Sequence, residues 1–307
     1  MKKPNFFIVG APKCGTSAMY YYLGQHPDIF IPDTSDTLED ALGGKRELNY
    51  FGSDLAFSRP SCATYLTYFA GATDEKRLGE CSVLYLYSKR ASAEIKRFAP
   101  DARIIIMLRH PVEMIYAWHA QLVYWGDEDV VEFATALKFE AERRQGRCLP
   151  HSYDHPVACF FYREIAKYAA QVKRYLDQFG RDQVHVIIFD DFKAETAGIY
   201  RQTLQFLGVD EAFQPELPLI NANKQVRNRA LHAVLRRPPA SLRRLGKRLL
   251  PSLVRQELRR RLLRYNTKHV VRDPLDAALQ QQLQAAFAPD VAQLSQLLDR
   301  DLTGWCR

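Results

Sequence analysis

The chain has 307 residues, of which 47% are apolar and 25% charged, with a formal net charge of +8. That balance excludes a disordered or fibrous chain, and the length suits one large or two small domains. The longest aliphatic run, Ile104 to Leu108, has five residues, far short of the ~20 that a membrane helix needs. Phe6–Val9 reads as a buried strand, because Gly10, Pro12 and Lys13 end the run before a secretory leader can form. Thr16–Gln25 reads as a helix. Arg103–Leu108 is a second strand, and Val112–Trp125 a helix after it. Tyr162–Phe179 carries apolar residues at helical period and stops at Gly180. Val184–Phe189 is a third strand. Thr196–Leu207 is a helix closed by Gly208. Leu275–Leu298 is a Leu-, Ala- and Gln-rich helix interrupted by Pro289. Buried strands alternating with helices predict an α/β fold, a central parallel sheet covered on both faces, with a helical C-terminal part. A single domain over 1–307 is the simplest account.

The six cysteines form no C-x-x-C pair, and the eight histidines form no helix-face pair. Free thiols, no metal and a cytoplasmic location are the expectations. Charge is uneven. Residues 227–264 hold 13 Lys and Arg against one acid, Glu257, while the remainder of the chain is net negative. A stretch this basic suits a polyanion such as a phosphorylated or sulfated ligand or an anionic membrane face, and equally reads as a solvated helical face. Arg227 and Arg229, close to Asn221 and Asn223, read as a ligand-facing loop. Arg259-Arg260-Arg261 reads as a surface stripe.

The most informative stretch is Phe6-Phe7-Ile8-Val9-Gly10-Ala11-Pro12-Lys13-Cys14-Gly15-Thr16-Ser17. A strand enters a glycine-containing turn and then a helix with hydroxyls at its start. Backbone N–H groups and the positive end of the helix dipole are thereby arranged around an anion. Gly10 and Gly15 have the spacing of a nucleotide triphosphatase loop, but Thr16 stands where that loop has its lysine. The lysine comes earlier, at Lys13.

This segment resembles the 5′-phosphosulfate loop of sulfotransferases that use 3′-phosphoadenosine 5′-phosphosulfate. With His26-Pro27-Asp28-Ile29 behind it, it is similar to the Golgi heparan-sulfate branch and its bacterial relatives. Further motifs follow in order. Arg46-Glu47-Leu48-Asn49-Tyr50-Phe51 resembles the K-E-x-x-F-F segment. Gly79-Glu80-Cys81-Ser82-Val83-Leu84-Tyr85 resembles G-E-x-[ST]-P-x-Y, with Val83 in place of the proline and Cys81 where some members have lysine. Leu108-Arg109-His110-Pro111-Val112-Glu113 resembles the 3′-phosphate motif L-R-x-P-[VI]-E. Tyr168, Phe206-Leu207-Gly208 and Trp305 are similar to recurrent positions.

The resemblance implies a P-loop-like three-layer fold and in-line sulfuryl transfer from 3′-phosphoadenosine 5′-phosphosulfate, leaving adenosine 3′,5′-bisphosphate. It implies Glu47 as general base and Lys13 as the charge on the departing phosphate oxygen. Lys13, Cys14, Gly15, Thr16, Ser17 and Ala18 would hold the 5′-phosphosulfate, with Arg109 and Tyr168 completing the nucleotide site. No metal is required. A serine usual eight residues after the arginine is replaced by Ala117, which implies either weaker affinity for the 3′-phosphate or another donor such as His119 or Trp118. The acceptor is a hydroxyl, on a carbohydrate or acidic glycan first and on a lipid-linked, small-molecule or tyrosine alcohol otherwise. No nucleic acid is expected, and peripheral contact with an anionic membrane would run through 227–264. Two rivals of other classes are a nucleotide kinase, with Asp190-Asp191 as metal ligands, and a non-catalytic polyanion binder.

Overall fold

The computed structural model describes residues 2–32, 47–218, 224–236, 251–269 and 272–306, with a few isolated positions between 238 and 248. Arg46, Asn221 and Asn223 lie outside the described residues. Contacts group into two compact units: Met1–Trp118, His155–Ile220 and Asp276–Arg307 in one, His119–Asp154 and Asn221–Leu275 in the other.

In chain order the elements that build the site are β1 (Phe6–Gly10), α1 (Thr16–Leu23), β2 (Ile29–Phe30), α2 (Cys62–Thr67), β3 (Arg77–Cys81), α3 (Ala91–Phe98), β4 (Arg103–Leu108), α4 (Pro111–Trp125), α5 (Tyr168–Phe179), β5 (Val184–Ile188), α6 (Phe189–Ala194), α7 (Thr196–Leu207) and α8 (Ala277–Leu298). The five strands form one sheet in the order β2-β3-β1-β4-β5. Every pairing is parallel. Helices flank this sheet, as the alternation of strands and helices predicts. Phe6, Phe7, Ile8 and Val9 in β1 and Ile104 to Leu108 in β4 have no exposed surface. Strands covered on both faces need continuous apolar runs, which is why these two were readable.

Three elements depart from the sequence expectation. The third predicted strand ends at Ile188, and Phe189 begins α6 instead. The long helix predicted over 162–179 is broken: a short helix, Tyr162–Ile165, precedes α5. Asp290 of α8 makes the break, accepting the backbone N–H of Tyr168 at 2.7 Å and of Ala169 at 3.3 Å as an N-terminal cap. α8 in turn runs unbroken through Pro289, because its buried face of Leu283, Phe287, Val291 and Leu294 holds it on the core.

β3 has the sequence Arg77-Leu78-Gly79-Glu80-Cys81, which shows no strand pattern. Tertiary fit makes it a strand. Gly79 lies opposite Phe6 in the β1 register. A Cβ on Gly79 would sit 2.0 Å from the Phe6 ring, so only glycine lets that ring pack between the strands.

The second unit has its own buried centre. The Arg143 guanidinium forks onto Glu128 at 2.7 and 2.8 Å, with neither side chain exposed. β6 (Lys224–Val226) and β7 (Thr267–His269) pair antiparallel. Helices Arg229–Arg236 and Ser252–Asn266 carry most of the described part of the basic segment. Arg259 and Arg261 lie exposed on the latter, in line with a surface stripe, and Arg261 pairs with Glu257 at 2.9 Å. Most described residues after α7 are helical, in the second unit and in α8 of the first. No described helix is long and apolar enough to cross a membrane.

Candidate active site at the carboxyl ends of the strands

The loop after β1 is pinned to its neighbours. The Ala11 N–H donates to the Met107 carbonyl at 2.7 Å, and the Leu86 N–H to Val9 at 2.7 Å. A Cβ on Gly10 would lie 2.4 Å from the Val83 carbonyl oxygen, so the turn after β3 presses directly on this backbone. Lys13 and Gly15 both take positive φ, at 61° and 85°. These two residues turn the chain into α1, which starts at Thr16 with Gly15 at its N-cap position. Thr16 and Ala18 are buried, and Lys13 and Ser17 half-buried. The loop therefore presents a lysine, two hydroxyls and the positive end of a helix in one place, a donor set that fits a phosphate or phosphosulfate group.

Arg109 follows the last residue of β4. Its guanidinium lies 4.9 Å from the Phe189 ring centre and is forked onto Glu113, at 2.9 Å from Nε and 2.6 Å from Nη2. Glu113 lies one helical turn along α4, and the Arg–Glu spacing of four residues is the sequence signal for this pair. The Cys14 thiol is fully buried and donates to the Pro12 carbonyl at 3.3 Å. Burial pushes its pKa up to about 12, with Arg109 pulling it down in part. It is a neutral thiol and no nucleophile.

Tyr168, the first residue of α5, has a fully buried hydroxyl beside that thiol and in the field of Arg109, and burial drives its pKa well up. The hydroxyl approaches the sulfur without making a directed hydrogen bond. A buried hydroxyl with unused capacity next to an arginine fits an anionic ligand group that brings acceptor oxygens. Trp305 packs edge-on against Tyr168 at 6.5 Å and lies 6.3 Å from His110. The structure thus brings Cys14, Arg109 and Tyr168 together, beside the loop that carries Lys13, Gly15, Thr16, Ser17 and Ala18.

Glu47 opens the segment 47–51, which lies against the turn after β3. The Asn49 N–H donates to the Ser82 hydroxyl at 3.1 Å. The Tyr50 and Phe51 N–H groups donate to the Tyr85 hydroxyl at 2.7 and 3.1 Å. The same turn packs on Gly10, so one short stretch of chain touches both the segment of Glu47 and the phosphate loop.

The two substitute donors for Ala117 are engaged elsewhere. The Trp118 indole N–H donates to the Cys159 carbonyl at 3.0 Å, and the His119 ring bonds the Val130 carbonyl at 2.8 Å. Both are buried, and burial lowers the His119 pKa. Internal hydrogen bonds therefore correct the expectation that either residue serves the phosphate. Asp191, one of the two acids that the kinase reading offers as metal ligands, is forked by Arg300 at 2.5 and 2.8 Å.

Known proteins share the sequence pattern and the fold of this chain. Residues 4–215 match the model of the sulfotransferase family. A sulfotransferase of known structure from Alicyclobacillus acidocaldarius is 31% identical and superposes with a TM-score of 0.70 over the whole of both chains. The bifunctional heparan sulfate N-deacetylase/N-sulfotransferase 1 of Xenopus laevis is 26% identical over 221 residues, 68% of this chain. Human heparan sulfate N-deacetylase/N-sulfotransferase 3 is 25% identical over 67% of this chain. This chain spans only 22% of the length of either relative. The match covers more than two-thirds of the residues, from before the phosphate loop to beyond α7, and the chain belongs to the sulfotransferase family of enzymes.

Proposed function

We propose that this enzyme moves the sulfuryl group of 3′-phosphoadenosine 5′-phosphosulfate to a carbohydrate hydroxyl. The observation that carries the reading is the meeting of three parts at the carboxyl ends of adjacent parallel strands. These are the amino end of α1 with Lys13, the Arg109–Tyr168 pair, and the Glu47 segment. When bound, the nucleotide supplies an activated sulfuryl group on a phosphate leaving group. The backbone N–H groups of Gly15, Thr16, Ser17 and Ala18, with the loop hydroxyls, hold its phosphosulfate end. Lys13 balances charge on the departing phosphate oxygen. Arg109 turns its fork from Glu113 to the 3′-phosphate, with Tyr168 beside it. Glu47 takes the acceptor proton as the acceptor oxygen attacks in line with the leaving oxygen.

The heparan sulfate names of the relatives support a glycan acceptor. Those names also specify N-sulfation, which favours an amino sugar as a second acceptor class. Transfer of radiolabelled sulfate from the nucleotide to a panel separates these readings. The panel is a de-sulfated acidic glycan, its N-deacetylated form, a neutral oligosaccharide and a tyrosine peptide. Label is expected on the glycans and absent from the peptide. Label on the peptide alone would overturn the carbohydrate reading.

A further inference from the structure

Glu80, in β3, has a fully buried carboxyl group that the proposed transfer chemistry does not use. Three hydroxyls close on it. Tyr65 bonds one oxygen; Ser82 and Tyr85 both donate to the other, at 2.8 and 2.6 Å. Burial pushes the Glu80 pKa up while these hydroxyls draw it back. A carboxyl group in such a place is costly, and an apolar side chain would fill the space without that cost.

What it supplies is direction. With their protons given to Glu80, the Ser82 and Tyr85 hydroxyls can only accept on their other side. That side faces three consecutive backbone N–H groups, those of Asn49, Tyr50 and Phe51. Asn49 has φ 48°, in the left-handed region where side-chain-bearing residues need support. The Ser82 bond falls on that residue. Tyr50 is held further by stacking on Tyr65, with centroids 4.1 Å apart and planes within 10°. Glu47 lies two residues before Asn49, at most about 7 Å along the chain.

We infer that Glu80 is a positioning residue, which aims the Ser82 and Tyr85 hydroxyls so that they fix the 49–51 backbone and thereby hold Glu47 at the acceptor. The inference rests on Glu47 being the base.

Tyr85→Phe is the clean test, because it keeps the buried ring and removes only the hydroxyl. Displacing a reacting group by about an ångström costs on the order of 10²-fold. The expected result is a kcat lowered 10- to 100-fold. Affinity for adenosine 3′,5′-bisphosphate should stay within twofold, while the melting temperature falls because the Tyr50 and Phe51 N–H groups lose their acceptor. Glu80→Leu should lower kcat similarly. Glu80→Gln should restore most of it, because an amide oxygen still accepts from Ser82 and Tyr85 while the amide nitrogen donates to Tyr65. In a Glu47→Gln background, Tyr85→Phe should cost nothing more.

Wild-type kcat in Tyr85→Phe beside a crippled Glu47→Gln would overturn the inference and leave the base assignment standing. An equal loss in both backgrounds would also overturn it, since the hydroxyl would then act elsewhere. Full activity in Glu47→Gln itself would remove the base assignment, and the inference with it.

Discussion

Glu47→Gln should lower turnover by about 10²–10⁴-fold, the range that a positioned general base contributes. Gln keeps the size of the side chain and removes its capacity to take a proton. The nucleotide-binding groups assigned here lie on other segments: the loop after β1, the end of β4 and the start of α5. Affinity for adenosine 3′,5′-bisphosphate should therefore stay near that of the native enzyme. Calorimetry for affinity and label transfer for turnover check the two halves separately. Unchanged turnover would dismiss Glu47 as base. A parallel loss of affinity would mean that the segment supports the nucleotide rather than the acceptor.

Arg109→Ala should act on the other quantity. A hydrogen bond to a charged group contributes about 1.5–3 kcal/mol, which corresponds to a weakening of nucleotide binding by roughly 10- to 150-fold. The loss should appear with adenosine 3′,5′-bisphosphate and be small with adenosine 5′-phosphate, because the assigned contact is the 3′-phosphate. In this structure the guanidinium already holds Glu113 through two hydrogen bonds, so nucleotide binding must exchange one anion for another. Glu113→Gln releases the fork from a charged partner, and affinity should hold or rise. Arg109→Ala with native affinity for both nucleotides would take the residue out of the site. A 3′-phosphate preference that survives Arg109→Ala would have the same consequence.

The legible parts of this fold share a physical cause. β1 and β4 read as strands because both faces are covered, and an unbroken apolar run is what that environment selects. The turn into α1 was legible because few sequences place Gly10, Lys13, Gly15 and Thr16 at that spacing between a strand and a helix. β3 was illegible because its strand character comes from partners distant in sequence. Gly79 is needed by the Phe6 ring, and Glu80 is tolerated because Tyr65, Ser82 and Tyr85 surround it. The break before Tyr168 was hidden for a similar reason, since the capping carboxylate, Asp290, lies 122 residues away. Periodicity sees one element at a time, and these features are set between elements.

The site was divided in the same way. Residues in motifs were named directly. How they are supported is not written in the motifs: Phe189 lies against the Arg109 guanidinium and the Ser82 and Tyr85 hydroxyls lie beneath the Glu47 segment only once the strands stand side by side. Ala117 is the converse case. The missing hydroxyl was evident, yet the replacements suggested by chain proximity, Trp118 and His119, are tied to the Cys159 and Val130 carbonyls.

In the proposed reading, the loop after β1 and the end of β4 form one site for a nucleotide bearing a 3′-phosphate. Calorimetric titration with adenosine 3′,5′-bisphosphate, beside adenosine 5′-phosphate and Mg·ATP, tests it most directly. Tight binding that depends on the 3′-phosphate and needs no magnesium is expected. No binding, or a preference for Mg·ATP, would contradict it.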